Sequence, residues 1–190
     1  MEQAELKDTN EAHGGAGAAG ARAPITSEPA AGPSGKTPAI TILGVGNTLM
    51  ADDGLGIFVI EGLDAGAFGS GVNVVAGGVA GMAMLSHFLE SDAVIVIDAI
   101  DAGAEPGAIF RFDPDEAGVM SLRSNNIHGM GVPHLVTNAR LKGADPEVIV
   151  FAVQVESVNP RDRELSPAVA ASVTRVRELV ADEVARLQAV

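Results

Sequence analysis

Ala39-Ile40-Thr41-Ile42-Leu43-Gly44-Val45-Gly46 is a β-branched apolar run that breaks into Asn47-Thr48-Leu49-Met50-Ala51-Asp52-Asp53-Gly54-Leu55-Gly56 and then into GIFVIEGLDAG (56–66), where apolar residues recur at helical spacing. A short strand that opens through a glycine-rich turn into a helix is the first unit of an α/β fold. The same alternation continues outward. VNVVAG (72–77), AVIVIDAI (93–100), AIFRF (108–112) and EVIVFAV (147–153) read as strands bounded by Gly, Pro or Asp. GMAMLSHFLES (81–91), VPHLVTNARLKG (132–143) and SPAVAASVTRVRELVADEVARLQAV (166–190) read as helices. The expected fold is therefore α/β: a three-layer sandwich with a twisted, mostly parallel sheet flanked by helices on both faces. Ligands are expected at the carboxyl ends of the strands.

Upstream the texture differs. Residues 1–38 are Ala, Gly, Pro, Ser and scattered charge, as in GGAGAAGARAPITSEPAAGPSG (14–35), with too little large apolar surface to offset the entropy of ordering. We expect a disordered N-terminal tail over 1–38 and one domain over 39–190, since 190 residues suffice for one core and are short for two. No internal repeat is visible.

Charge and composition exclude several function classes. The 12 Lys+Arg against 25 Asp+Glu give a net charge of −13, which repels a phosphate backbone and argues against nucleic acid as a partner. The absence of Cys removes disulfides, thiolate metal sites and cysteine nucleophiles. No apolar run approaches the ~20 residues of a spanning helix, and the N-terminus lacks the order of a signal peptide. A cytoplasmic, monomeric protein without a membrane partner is the expectation.

The first turn invites a dinucleotide-binding reading, which fails. Leu49 stands where G-x-G-x-x-G needs its third glycine, two carboxylates occupy the place of a pyrophosphate, and no Gly-Lys-Ser/Thr follows. What remains is a turn that brings Asp52 and Asp53 to a helix start. Capping of that helix is one explanation, but a cap requires only one Asp. Asp98, on the strand 93–100, would face the same crevice as a ligand or serve as an ordinary turn residue; Asp101 reads as the turn residue. Of the four histidines, His13 is in the tail, His87 lies in a helical run and His134 follows Pro133 in a first helical turn. His128, in the loop SNNIHGMG with Gly129 and Gly131 just before the next helix, is either a surface loop residue or a group that projects into a cleft. Asp53, Asp98 and His128 together form a hard-to-borderline ligand set suited to a first-row divalent ion with open positions.

The run GVGNTLMADDGLG resembles the opening motif G-x-G-N-x-L-x-x-D-(E/D)-G-x-G of the hydrogenase maturation endopeptidases. The resemblance extends through GGVAGM, VIVIDAIDAGAEPGAIFRFDPDE and the His128 loop, covering nearly everything from Thr37 onward. It implies an endopeptidase that cleaves a C-terminal extension from a nickel-iron hydrogenase large-subunit precursor. It also implies that Asp53, Asp98 and His128 are the catalytic, metal-contacting residues, and that the metal is nickel already held by the substrate rather than a resident cofactor. Asp53 stands where several relatives carry Glu, and Ala76 stands where some carry Asp before the Gly-Gly, so no substrate contact is carried over to position 76. No G-x-S-x-G elbow or H-E-x-x-H helix is present, and Asp52 or Asp53 is a possible general base for water. Two rivals stand beside this reading: a related α/β hydrolase with another substrate, and a non-catalytic ligand-binding α/β module.

Overall fold

The structure, a computed structural model, describes residues 39–79, 81–114, 131–160 and 162–189, all within the compact unit Gly35–Val190. The expected tail over 1–38 lies outside the described residues. The elements run β1 (Ile40–Val45), α1 (Leu55–Glu61), β2 (Val72–Gly78), α2 (Leu85–Glu90), β3 (Ala93–Ile100), β4 (Ile109–Phe112), α3 (Val132–Leu141), β5 (Glu147–Gln154) and α4 (Pro167–Gln188). Tight 3-10 turns at Ala51–Gly54, Ala65–Phe68 and Gly81–Met84 connect them.

The sheet order is β2-β1-β3-β5-β4, parallel except for β4, which runs antiparallel against β5 with Phe110 opposite Ala152. Alternation along β3 explains why both faces are covered. Ala93, Ile95 and Ile97 join α1 and α4 in one core, while Val94, Val96 and Ile100 join α2 and α3 in the other. A strand buried on both sides reads as a continuous apolar run, as AVIVI does. The expected three-layer α/β sandwich is the observed one.

The chain leaves β1 for β2 on one side and returns to β3 on the other, so the connections diverge between β1 and β3. That divergence opens a crevice at the carboxyl ends of these two strands, where ligands of open α/β sheets bind.

The short α1 depends on packing, since seven residues form no stable helix alone. Leu55, Ile57, Val59 and Ile60 are buried, and its last carbonyls are taken by Arg177 of α4: Nε donates to the Val59 carbonyl at 2.9 Å and Nη2 to Phe58 at 2.7 Å. Gly62 leaves room for that guanidinium, because a Cβ there would lie 2.1 Å from Nη2. The helical run expected over 56–66 therefore stops at Glu61, and Ala65–Phe68 forms its own turn. In α4 the buried Val169, Val176, Val180, Val184 and Leu187 form one stripe, and the buried Glu183 beside them is paired with Arg111 of β4 and Arg186. Among the described residues no helix is long and apolar enough to cross a membrane.

Candidate functional site

The crevice is built by glycines that let backbone meet backbone. A Cβ on Gly56, at the start of α1, would lie 2.2 Å from the Val45 carbonyl oxygen and 2.4 Å from that of Ile97. A Cβ on Gly44 would meet the Gly56 oxygen at 2.4 Å. Gly46, at φ +136°, passes so close to the Asp53 carbonyl that a Cβ would lie 1.9 Å away. These contacts draw the start of α1 down onto the ends of β1 and β3. The glycines are occupied by internal packing rather than held open for a phosphate, which removes the physical basis for a nucleotide turn.

Asp53 is buried in the 3-10 turn Ala51–Gly54. Its Oδ2 accepts from the Asn47 backbone N–H at 3.0 Å, and its own N–H donates to the Met50 carbonyl at 3.2 Å, so the turn is closed on itself around the carboxylate. Asp98 is part-buried on β3. The strand runs to Ile100, as expected, and the alternation places Asp98 with Val94 and Val96 on the α2–α3 face. Burial pushes the Asp98 carboxyl up to about 7; the Ala99 N–H bonded to its Oδ1 at 2.8 Å opposes the rise, and the charge of Asp53 adds to it. The Asp53 turn and Asp98 thus share the carboxyl edge of β1 and β3, within electrostatic reach of each other.

His128 lies outside the described residues, so its position is not part of this geometry. The described chain resumes at Gly131, three residues later, which caps α3. The C-terminal half of α3 lies by the amino ends of the strands, where Val136 and Arg140 border a 210 Å³ cavity with Asp113, Pro146 and Val148. Its first turn therefore points toward the carboxyl edge. Among the described residues no three Asp, Glu, His or Cys side chains form a metal-binding group. His134 is exposed in the first turn of α3 and His87 lies on α2.

The other carboxylates at this edge have structural duties. Asp52 is fully buried and accepts four hydrogen bonds, from Glu156, Ser157 and Ser166 N–H groups and the Ser166 hydroxyl. A carboxylate so occupied has no exposed oxygen with which to take a proton from water, so the general-base assignment left open between Asp52 and Asp53 falls away from Asp52. Asp101 accepts from the Gln154 side chain at 3.2 Å. The buried Gln154 also accepts from the Ala102 and Ala104 N–H groups, organising the turn after β3. Sequence reading missed Gln154, because a single polar residue at the end of an apolar strand has no local signature.

Residues 57–183 match the family model described as hydrogenase maturation protease. The hydrogenase expression/formation protein HupM of Azotobacter chroococcum is 31% identical over 156 residues, spanning 76% of this chain and 75% of that protein. Among solved structures, the hydrogenase maturating endopeptidase HybD from Escherichia coli superposes with a TM-score of 0.65 at 28% identity, covering 74% of this chain and 88% of that one. The NiFe hydrogenase maturation protease HybD from Thermococcus kodakarensis superposes with a TM-score of 0.59 at 27% identity, covering 76% and 98%.

Proposed function

The chain belongs to the hydrogenase maturation protease family, and from that premise we propose that it removes the C-terminal extension of a nickel-iron hydrogenase large-subunit precursor after nickel has been inserted. Asp53, Asp98 and His128 contact the substrate-held nickel and through it align the scissile peptide. The observation that carries this reading is that the Asp53 turn packs onto the carboxyl ends of β1 and β3, within electrostatic reach of Asp98. Two carboxylates held close together resist sharing negative charge, and a divalent cation relieves that repulsion. Asp98, poised at about 7 in the free enzyme, releases its proton when the cation arrives, so recognition is coupled to proton release.

Cleavage then depends on positioning. A peptide anchored by the metal beside Asp53 has its carbonyl and an attacking water held in one geometry, and such preorganisation supplies a large part of a hydrolytic rate. Asp53, buried in the turn at the carboxyl ends of β1 and β3, is the carboxylate we assign as general base. The enzyme needs no resident metal, because two carboxylates and one imidazole form an open, weak site that the substrate completes.

The test is direct incubation of purified enzyme with nickel-loaded precursor, followed by intact-mass spectrometry. One shortened product of constant mass supports the reading. Precursor that persists at full mass under these conditions contradicts it.

A further inference from the structure

Asp52 adjoins Asp53 in sequence but points the other way, into the protein. Its Oδ2 accepts from Glu156 N–H at 2.9 Å, Ser157 N–H at 2.9 Å and the Ser166 hydroxyl at 3.0 Å, and its Oδ1 accepts from Ser166 N–H at 2.7 Å. These donors lie just past β5 and just before α4, more than a hundred residues away in sequence. Two backbone bonds reinforce the clamp: Ala51 N–H donates to the Asp162 carbonyl at 2.8 Å, and Asp52 N–H to the Ser157 carbonyl at 3.2 Å. The bonds from Ser166 anchor the residue that precedes α4. Those from Glu156 and Ser157 bind the connection itself.

Between Met50 and Asp52 the backbone is strained. Ala51 is buried with φ at +51°, in the left-handed region that favours glycine. Such a conformation persists where the surroundings over-determine it, and the Asp52 carboxylate with its four donors supplies that constraint on one side. On the other side Asn47 holds Asp53. The direction in which the Asp53 carboxylate leaves the turn is therefore set between two anchors.

We propose that Asp52 is a positioning residue: by clamping the β5–α4 connection to the first turn, its buried carboxylate holds Asp53 toward Asp98 and so controls the rate of cleavage without touching substrate. This rests on the reading of Asp53 and Asp98 given above. An ionised carboxylate is required because all four partners donate. An amide of the same shape would turn an NH2 group toward at least one N–H, leaving donor against donor.

The test is steady-state kinetics of the full-length enzyme on nickel-loaded precursor. Asp52→Asn should lower kcat at least tenfold with KM within twofold, the signature of lost alignment rather than lost binding, while circular dichroism stays native. Arg177→Ala, which removes the bonds to the Phe58 and Val59 carbonyls at the far end of α1, should lower Tm yet leave kcat near wild type. Ala51→Gly added to Asp52→Asn should recover part of kcat, because glycine adopts φ +51° without strain. Wild-type kcat in Asp52→Asn would overturn the proposal. Should Asp52→Asn fail to fold, Ser166→Ala against Ser166→Thr decides: reduced kcat in the first, restored by the hydroxyl of the second, supports it, and equal kcat in both overturns it. Precursor left uncut by wild-type enzyme would instead defeat the functional reading on which the proposal stands.

Discussion

Asp53 raises the proton affinity of Asp98, adding to the larger effect of burial, and the two together exceed the opposing pull of the Ala99 N–H, so that the Asp98 carboxyl is pushed up to about 7. A carboxyl with a folded-state value above its ordinary 3.8 stabilises the fold in its protonated form. That contribution is complete below the unfolded value and is lost as pH rises through the folded one. Thermal stability of the free enzyme should therefore decline between about pH 4 and pH 7, and Asp98→Asn should flatten this slope. At pH 8 the Asn variant should melt higher than wild type, by the equivalent of up to a few kcal/mol, while losing processing. A lower Tm for Asp98→Asn at pH 8, from calorimetry across pH, would contradict this.

Cleavage should follow the opposite trend. Because the site engages a cation through carboxylates, the apparent affinity for nickel-loaded precursor should weaken as pH falls below about 7, in step with protonation of Asp98. KM measured from pH 5.5 to 8 should rise at the acid end, and a flat profile would dissociate Asp98 from recognition.

Gly56 permits α1 to approach the Val45 and Ile97 carbonyl oxygens. Gly56→Ala forces atoms that cannot yield apart, since both obstacles are backbone, and should cost on the order of 3 kcal/mol or more in urea unfolding. Gly81, at φ +51° with nothing within 4 Å of a Cβ, should lose only about 1 kcal/mol on substitution by Ala. Equal costs at the two glycines would refute the close-packing account.

His128→Ala should abolish processing with the circular dichroism spectrum unchanged, whereas the exposed His134 should tolerate alanine without loss of activity. A loop ligand can be removed without opening a core cavity. Normal accumulation of mature large subunit in a His128→Ala strain would remove His128 from the site.

The five strands and four helices of the described residues were legible because their apolar periods differ and because Gly, Pro and Asp bound them; AVIVI reads as a strand buried on both faces. The antiparallel direction of β4 was not legible, since AIFRF reads the same in either orientation. Asp53 and Asp98 were readable as candidates from their places after β1 and on β3. The division of labour between Asp52 and Asp53 was not. It is decided by Glu156, Ser157 and Ser166, whose approach depends on the whole β5–α4 connection and leaves no trace near residue 52. Gln154 escaped notice for the same reason: its partners Ala102 and Ala104 lie some fifty residues earlier.

The central claim, that Asp53, Asp98 and His128 act on nickel held by the substrate, is tested most directly by mixing one enzyme preparation with precursor from nickel-replete and from nickel-starved cells and following the C-terminal extension by mass spectrometry. The account expects only the replete precursor to shorten, and expects Asp53→Asn and Asp98→Asn to leave even that precursor intact, because a neutral amide is a poorer ligand for a divalent cation than a carboxylate. Equal shortening of the nickel-free precursor by wild-type enzyme would contradict it.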